Sequence, residues 1–151
     1  MKTKPTIQAI LTCLALAVAL PAMADNEAKE VEAGERGGRL LATDSPRPEF
    51  FVEKDHTVSV KFYDADGKVV APSDQQVTVI TTGDEKKKLQ LEKKDDALVS
   101  TEPLPEGDGY GLVVQVRADA DSRPENFRFT FLNHICGGPC GNPEYACTCD
   151  E

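Results

Sequence analysis

Past the first two dozen residues the chain alternates apolar and polar positions over short runs, which is the period of a half-buried strand. Val58, Val60 and Phe62 fall on one face, while Thr57, Ser59 and Lys61 fall on the other. Val77, Val79 and Thr81 repeat the pattern, as do Leu89 with Leu91, Leu112 with Val114 and Val116, and Phe127 with Phe129 and Phe131. With Phe50 to Glu53, Val69-Val70 and Ala97 to Ser100, the rhythm predicts seven to eight short strands, and helical spacing is sustained nowhere in this region.

The intervening segments carry turn chemistry. Asp66-Gly67 lies between Phe62-Tyr63 and Val69-Val70, and Asp-Gly between apolar runs favours the positive φ of a tight hairpin. Gly83-Asp84, the Lys93 to Asp96 cluster and Pro103 to Gly109 mark further turns. Many short strands at this spacing predict an all-β, immunoglobulin-like antiparallel β-sandwich over residues 39–132. Gly109-Tyr110 leading into Leu112 to Val116 resembles the tyrosine corner of such folds, in which a Tyr hydroxyl returns to the backbone a few residues upstream.

The start of the chain is of another kind. Lys2 and Lys4 precede an apolar run from Ile7 to Leu20, and Pro21-Ala22-Met23-Ala24 ends it with small residues where a signal peptidase reads. This pattern predicts a secretory signal peptide over 1–24, cleaved after Ala24, and Cys13 leaves with it. The run is shorter than the roughly 20 apolar residues of a membrane-spanning helix, so no membrane insertion is expected after cleavage. Residues 25–38, rich in Glu, Ala, Lys and Gly, carry no apolar stripe and are expected to form a disordered lead-in. The expected location is periplasmic or secreted.

Charge narrows the partners. The 151 residues carry a formal charge of −9. Loss of 1–24 removes Lys2 and Lys4 and no acid, leaving 15 basic and 26 acidic side chains and a net −11. Nucleic acid and anionic membrane surfaces are poor partners for such a chain, whereas cations are attracted.

Catalytic patterns are missing from the sequence. The two histidines, His56 and His134, belong to no nucleophile-elbow or paired-histidine motif. Gly107, Gly109 and Gly111 mimic a phosphate loop, but no helix follows. Asp64-Ala65-Asp66-Gly67 resembles the start of a calcium loop without its later acidic ligand and reads as a hairpin turn. Lys86-Lys87-Lys88, flanked by acids, reads as a solvated strand edge. A non-enzymatic protein is expected.

The exception is residues 133–151, an irregular Cys-rich tail. Cys136, Cys140, Cys147 and Cys149 fall with His134 within sixteen residues, and the expected mature chain has no other cysteine. Three readings compete. Two disulfides would staple a Gly- and Pro-rich segment in an oxidising compartment, with three pairings possible. Alternatively the four thiolates, with His134, would bind a soft or borderline metal ion, Cu(I) or Zn(II). Redox exchange is the third reading, although the thioredoxin-type spacing is missing.

Gly34-Glu35-Arg36-Gly37-Gly38-Arg39-Leu40-Leu41, followed by Glu49 to Val52, resembles a motif of small periplasmic β-domains. These occur alone or at the front of periplasmic adaptor proteins of heavy-metal efflux systems, where a Gly-Pro-His-Gly-Gly-Arg-Leu-Leu stretch precedes a β-sandwich of similar length. Gly34, Gly37, Gly38, Arg39, Leu40 and Leu41 match, while Glu35 and Arg36 stand where the family has Pro and His. The resemblance implies an accessory role in metal efflux or tolerance, with an efflux component or another envelope protein as partner. The cysteine tail lies outside the pattern and rests on its own chemistry.

Overall fold

The computed structural model describes residues 31–42 and 44–149. The expected signal peptide, its cleavage point and residues 25–30 of the expected lead-in lie outside the described residues. Nine strands follow in order: β1 (Arg39–Leu40), β2 (Arg47–Val52), β3 (Val58–Tyr63), β4 (Val69–Val70), β5 (Gln76–Thr82), β6 (Lys88–Lys94), β7 (Ala97–Ser100), β8 (Tyr110–Arg117) and β9 (Glu125–Phe131). A single 3₁₀ turn, Glu144–Ala146, closes the described chain. No helix among the described residues is long and apolar enough to cross a membrane.

Every strand pairing is antiparallel, and the strands form one hydrogen-bonded path, β1-β2-β3-β7-β6-β5-β8-β9, with β4 beside β3. The curl of this sheet pivots on β6. Lys88, Leu89 and Gln90 pair with β5, whereas Leu91 to Lys94 pair with β7. Leu89 is buried while Glu92, Lys93 and Lys94 are exposed, so the strand passes from core to solvent as it changes partner. The curl brings β2 against β9 from opposite ends of the path: the Phe50 and Phe129 rings meet edge to face at 5.4 Å. Inward residues from both ends, among them Phe50, Val60, Val79, Leu112, Val114 and Phe131, fill one core.

The strand pattern follows the alternation in the sequence, with differences that have physical reasons. The ninth strand is β1, whose two residues are too few for a period to show. β2 begins at Arg47 rather than near Phe50 and contains Pro48, a residue that argues against a paired strand from sequence alone. The Pro48 carbonyl nevertheless accepts from Leu41 N–H at 2.9 Å. Phe129 is partly buried, its ring lying 4.7 Å beneath the Arg39 guanidinium, and its neighbour Arg128 is exposed. At the hairpin after β3, Asp64 Oδ1 accepts from the N–H groups of Asp66 and Lys68, each at 2.9 Å, and Gly67 has φ +79°. Asp64 thus serves the turn. The Tyr110 hydroxyl donates to the Pro105 carbonyl at 3.0 Å, the contact expected of the Gly-rich corner.

Two boundaries differ from expectation. The expected disordered lead-in extends to Gly38, but within it residues 34–38 form a turn in which Gly34 N–H donates to Gly38 O at 2.8 Å and Gly37 N–H to Gly34 O at 3.0 Å. This turn is fixed to β2 by Glu49, whose carboxylate accepts from Arg36 N–H at 3.0 Å and Gly38 N–H at 2.9 Å. At the other end, the expected separate tail contributes to the core. Tyr145 is 2 % exposed and Ala146 0 %. The Tyr145 ring stacks on Phe131 at 5.6 Å and meets Phe50 edge-on at 5.7 Å.

Candidate metal centre

The cysteine cluster is built by a chain reversal anchored on both sides. After β9, Leu132 O accepts from Tyr145 N–H at 3.0 Å, and His134 O accepts from Glu144 N–H at 2.8 Å, so the chain returns beside its own path. Cys136 N–H donates to Asn142 O at 2.8 Å, which closes the loop carrying Cys140. Tyr145 then pins the returning arm: its hydroxyl accepts from Val52 N–H at 3.2 Å, and its carbonyl accepts from Arg39 Nη1 at 3.1 Å. Cys147 and Cys149 follow immediately, so burial of one aromatic side chain positions two thiols.

Four sulfurs converge as a result. The Sγ atoms of Cys136, Cys140, Cys147 and Cys149 all lie within 4.8 Å of one another. Four thiolates around one tetrahedral ion at about 2.3 Å stand roughly 3.8 Å apart, inside the 4.8 Å limit that bounds the cluster. Cys140 Sγ lies 3.8 Å from Cys147 Sγ. These four cysteines could therefore hold a metal ion.

Cys136 and Cys147 are joined by a disulfide, with Cα atoms 5.9 Å apart, and Cys140 and Cys149 are free thiols. Cys136 is buried, whereas the other three are partly exposed. Cys140 N–H points at Cys149 Sγ at 3.4 Å, and Gly138 N–H at Cys136 Sγ at 3.4 Å. Backbone hydrogen bonding from Asn142 and then Thr148, together with the Cys149 thiol, lowers the Cys140 pKa below the ordinary thiol value. The same bond to Cys140 raises that of Cys149.

His134, an expected ligand, is placed elsewhere. Its Nδ1 lies 3.1 Å from Asp108 Oδ2, and among the described residues the convergent ligand group contains the four cysteines without it. Burial raises the Asp108 pKa, but hydrogen bonds from His134 and Asn133 N–H outweigh it and hold the carboxyl below its usual value. The sequence reading also missed Gly138. A Cβ there would lie 2.6 Å from Cys149 Sγ and 2.9 Å from its Cβ, so the missing side chain is what admits this sulfur to the cluster. The Gly-Gly-Pro run between Cys136 and Cys140 is the signal for it in the sequence.

The resembling motif forms a polar cluster outside the cysteine site. Glu49, 0 % exposed, accepts from Tyr63 Oη at 2.6 Å and Arg36 Nε at 3.3 Å in addition to the two backbone donors. Arg36 Nη1 reaches Ser59 Oγ at 2.9 Å and Glu53 Oε1 at 3.3 Å. Burial, then the bond to Glu49, pushes the Tyr63 pKa up to about 12. Arg36 here serves to hold the turn.

Compared with known proteins, the chain matches no family model, no curated protein and no solved structure.

Proposed function

We propose that this protein is an exported, non-enzymatic accessory that binds a soft or borderline metal ion, Cu(I) or Zn(II), outside the cytoplasm and takes part in heavy-metal efflux or tolerance. The observation that carries the reading is the convergence of four cysteine sulfurs within 4.8 Å. Thiolate is the favoured ligand for both ions, and four thiolates make a closed zinc site. The signal-type N-terminus and the Gly37-Gly38-Arg39-Leu40-Leu41 motif support the location and the efflux association. The Tyr110–Pro105 contact supports reading the curled sheet as an immunoglobulin-like sandwich.

The test is a competition titration of the fully reduced mature chain with Zn(II) and Cu(I) against chromophoric chelators. One ion per chain is expected, with proton release on binding and thiolate charge-transfer absorption for copper. Failure to compete with weak chelators for either ion, or recovery from metal-loaded cells with four blocked thiols and no metal, overturns the reading.

A second reading, a structural or protein-interaction module with a stapled tail that docks on an envelope protein, is favoured by the Cys136–Cys147 bridge beside the buried Tyr145. Genes for a surface-assembly system beside this one would support it, and genes for an efflux system would support the first.

A further inference from the structure

The four cysteines are not equivalent, and the division between them bears on how a thiol site can persist in an oxidising compartment. Cys136 is buried, and Cys147 follows directly on the two core residues Tyr145 and Ala146. Backbone bonds hold both: Cys136 N–H to Asn142 O at 2.8 Å and Cys147 N–H to Glu144 O at 3.1 Å. Their bridge lies where the returning arm meets the sheet. Cys140 and Cys149, partly exposed like Cys147, carry free thiols.

We propose that Cys136–Cys147 is a standing structural bridge, and that Cys140 and Cys149 alone form a two-thiolate site for Cu(I) with that bridge intact. This rests on the metal-binding reading above and narrows it to one ion and one ligand pair. Zinc takes four ligands, and once two sulfurs are committed to a disulfide only half of its thiolate set remains. Cu(I) is the softer ion of the two and is satisfied by two thiolates in a near-linear arrangement. Two metal–sulfur bonds of about 2.3 Å in line span about 4.6 Å. The Cys140 and Cys149 sulfurs lie no more than 4.8 Å apart, so one ion can bond to both without moving the bridge. Cys140 N–H directed at Cys149 Sγ stabilises negative charge on that sulfur, and the bare Gly138 gives it room. Binding exchanges two thiol protons for one Cu(I), leaving a singly negative bis-thiolate complex, and no electron is transferred. A bound ion also keeps the two thiols from oxidising to a second bridge.

The experiment uses the full mature chain purified without reductant. Cu(I), supplied anaerobically as its acetonitrile complex, is titrated against a chromophoric Cu(I) chelator, and free thiols are counted by alkylation and mass before loading and after copper removal. The expected result is one Cu(I) per chain, two alkylatable thiols at both points, and no comparable uptake of Zn(II). Cys140→Ser and Cys149→Ser should each weaken Cu(I) binding by more than about 100-fold, beyond the loss from removing an outer-shell partner. A Cys136→Ser/Cys147→Ser double variant, its fold checked by circular dichroism, should retain Cu(I) binding. Should that double variant not fold, the non-reduced wild-type titration decides alone. Copper uptake only after the bridge is reduced would overturn the two-thiolate site while leaving the four-thiolate reading standing. No uptake in either state would overturn both, and a native chain with no free thiol would overturn the division of roles.

Discussion

The carboxylate of Glu49 is fully buried and takes hydrogen bonds from both the backbone and the side chain of Arg36, thirteen residues earlier. One acid therefore folds the turn at 34–38 onto β2 and simultaneously neutralises the arginine that the turn brings in. A buried charge is tolerated only when paired and hydrogen-bonded, and removal of one partner strands the other.

Glu49→Ala is accordingly expected to destabilise the protein by about 3–5 kcal/mol, since it leaves Arg36, Gly38 N–H and Tyr63 Oη short of their acceptor. Glu35→Ala, at an exposed position one residue from Arg36, should change stability by less than about 0.5 kcal/mol. Urea unfolding of the two variants measures the contrast. Equal, small effects would show that the buried pair is dispensable.

Tyr145 is the second place where the ends of the chain are tied to the sheet. Tyr145→Ala removes a ring packed against Phe50 and Phe131 and should cost about 3–5 kcal/mol. Tyr145→Phe keeps the ring but leaves the buried Val52 N–H without its acceptor, for a cost of about 1–3 kcal/mol. Truncation after Asn133 should lower the thermal midpoint of the β-type circular dichroism by at least as much as Tyr145→Ala. An unchanged midpoint on truncation would return the tail to the status of an appendage.

These two ties mark the limit of what the sequence discloses. The strands of the sheet are legible because Val58-Val60-Phe62 or Leu112-Val114 repeat a period of two against polar neighbours, and the Tyr110–Pro105 contact because Gly109-Tyr110 follows a local turn signal. Arg36 and Glu49 sit among charges that read as solvent-exposed, and only the three-dimensional closure of the turn makes them partners. Tyr145 is a lone aromatic in a Gly-, Pro- and Cys-rich segment, where no period exists to announce burial. The four cysteines were legible as a cluster from spacing alone. The distance of His134 from them was not, since two residues of sequence separation from Cys136 say nothing of where its ring turns, and Asp108, twenty-six residues back, holds it.

Alkaline titration reads the burial of the tyrosines directly. Burial is the leading cause that raises all three above their ordinary value of 10.0, with Tyr63 and Tyr110 pushed up to about 12. Between pH 10 and 12 the native state therefore holds more protons than the unfolded chain. The stabilisation is complete below pH 10 and falls as pH rises through 12. At pH 11 roughly nine-tenths of solvent-exposed tyrosines are ionised. The native protein should then show well under half the phenolate absorbance of the same protein in denaturant, a clean signal because the chain has no Trp. Coincident titration curves would contradict the burial of these rings.

Gly137 and Gly138 offer a matched pair for separating the roles of the cysteines. A Cβ on Gly137 meets nothing within 4 Å, whereas one on Gly138 lies 2.6 Å from Cys149 Sγ and only at ordinary contact distance, 3.5 Å, from Cys136 Sγ. Gly138→Ala should thus displace Cys149 and leave the Cys136–Cys147 bridge and the Tyr145 anchor in place. Its expected effect is a fall in Cu(I) affinity of at least about tenfold, on the scale of losing an outer-shell partner, with the thermal midpoint within about 2 °C of wild type. Gly137→Ala should alter neither quantity. Loss of metal affinity in both variants would point to loop flexibility rather than to the position of the Cys149 sulfur. A fall in the midpoint of Gly138→Ala alone would mean that the bridge and the thiol pair cannot be separated, because the same loop would then be carrying both.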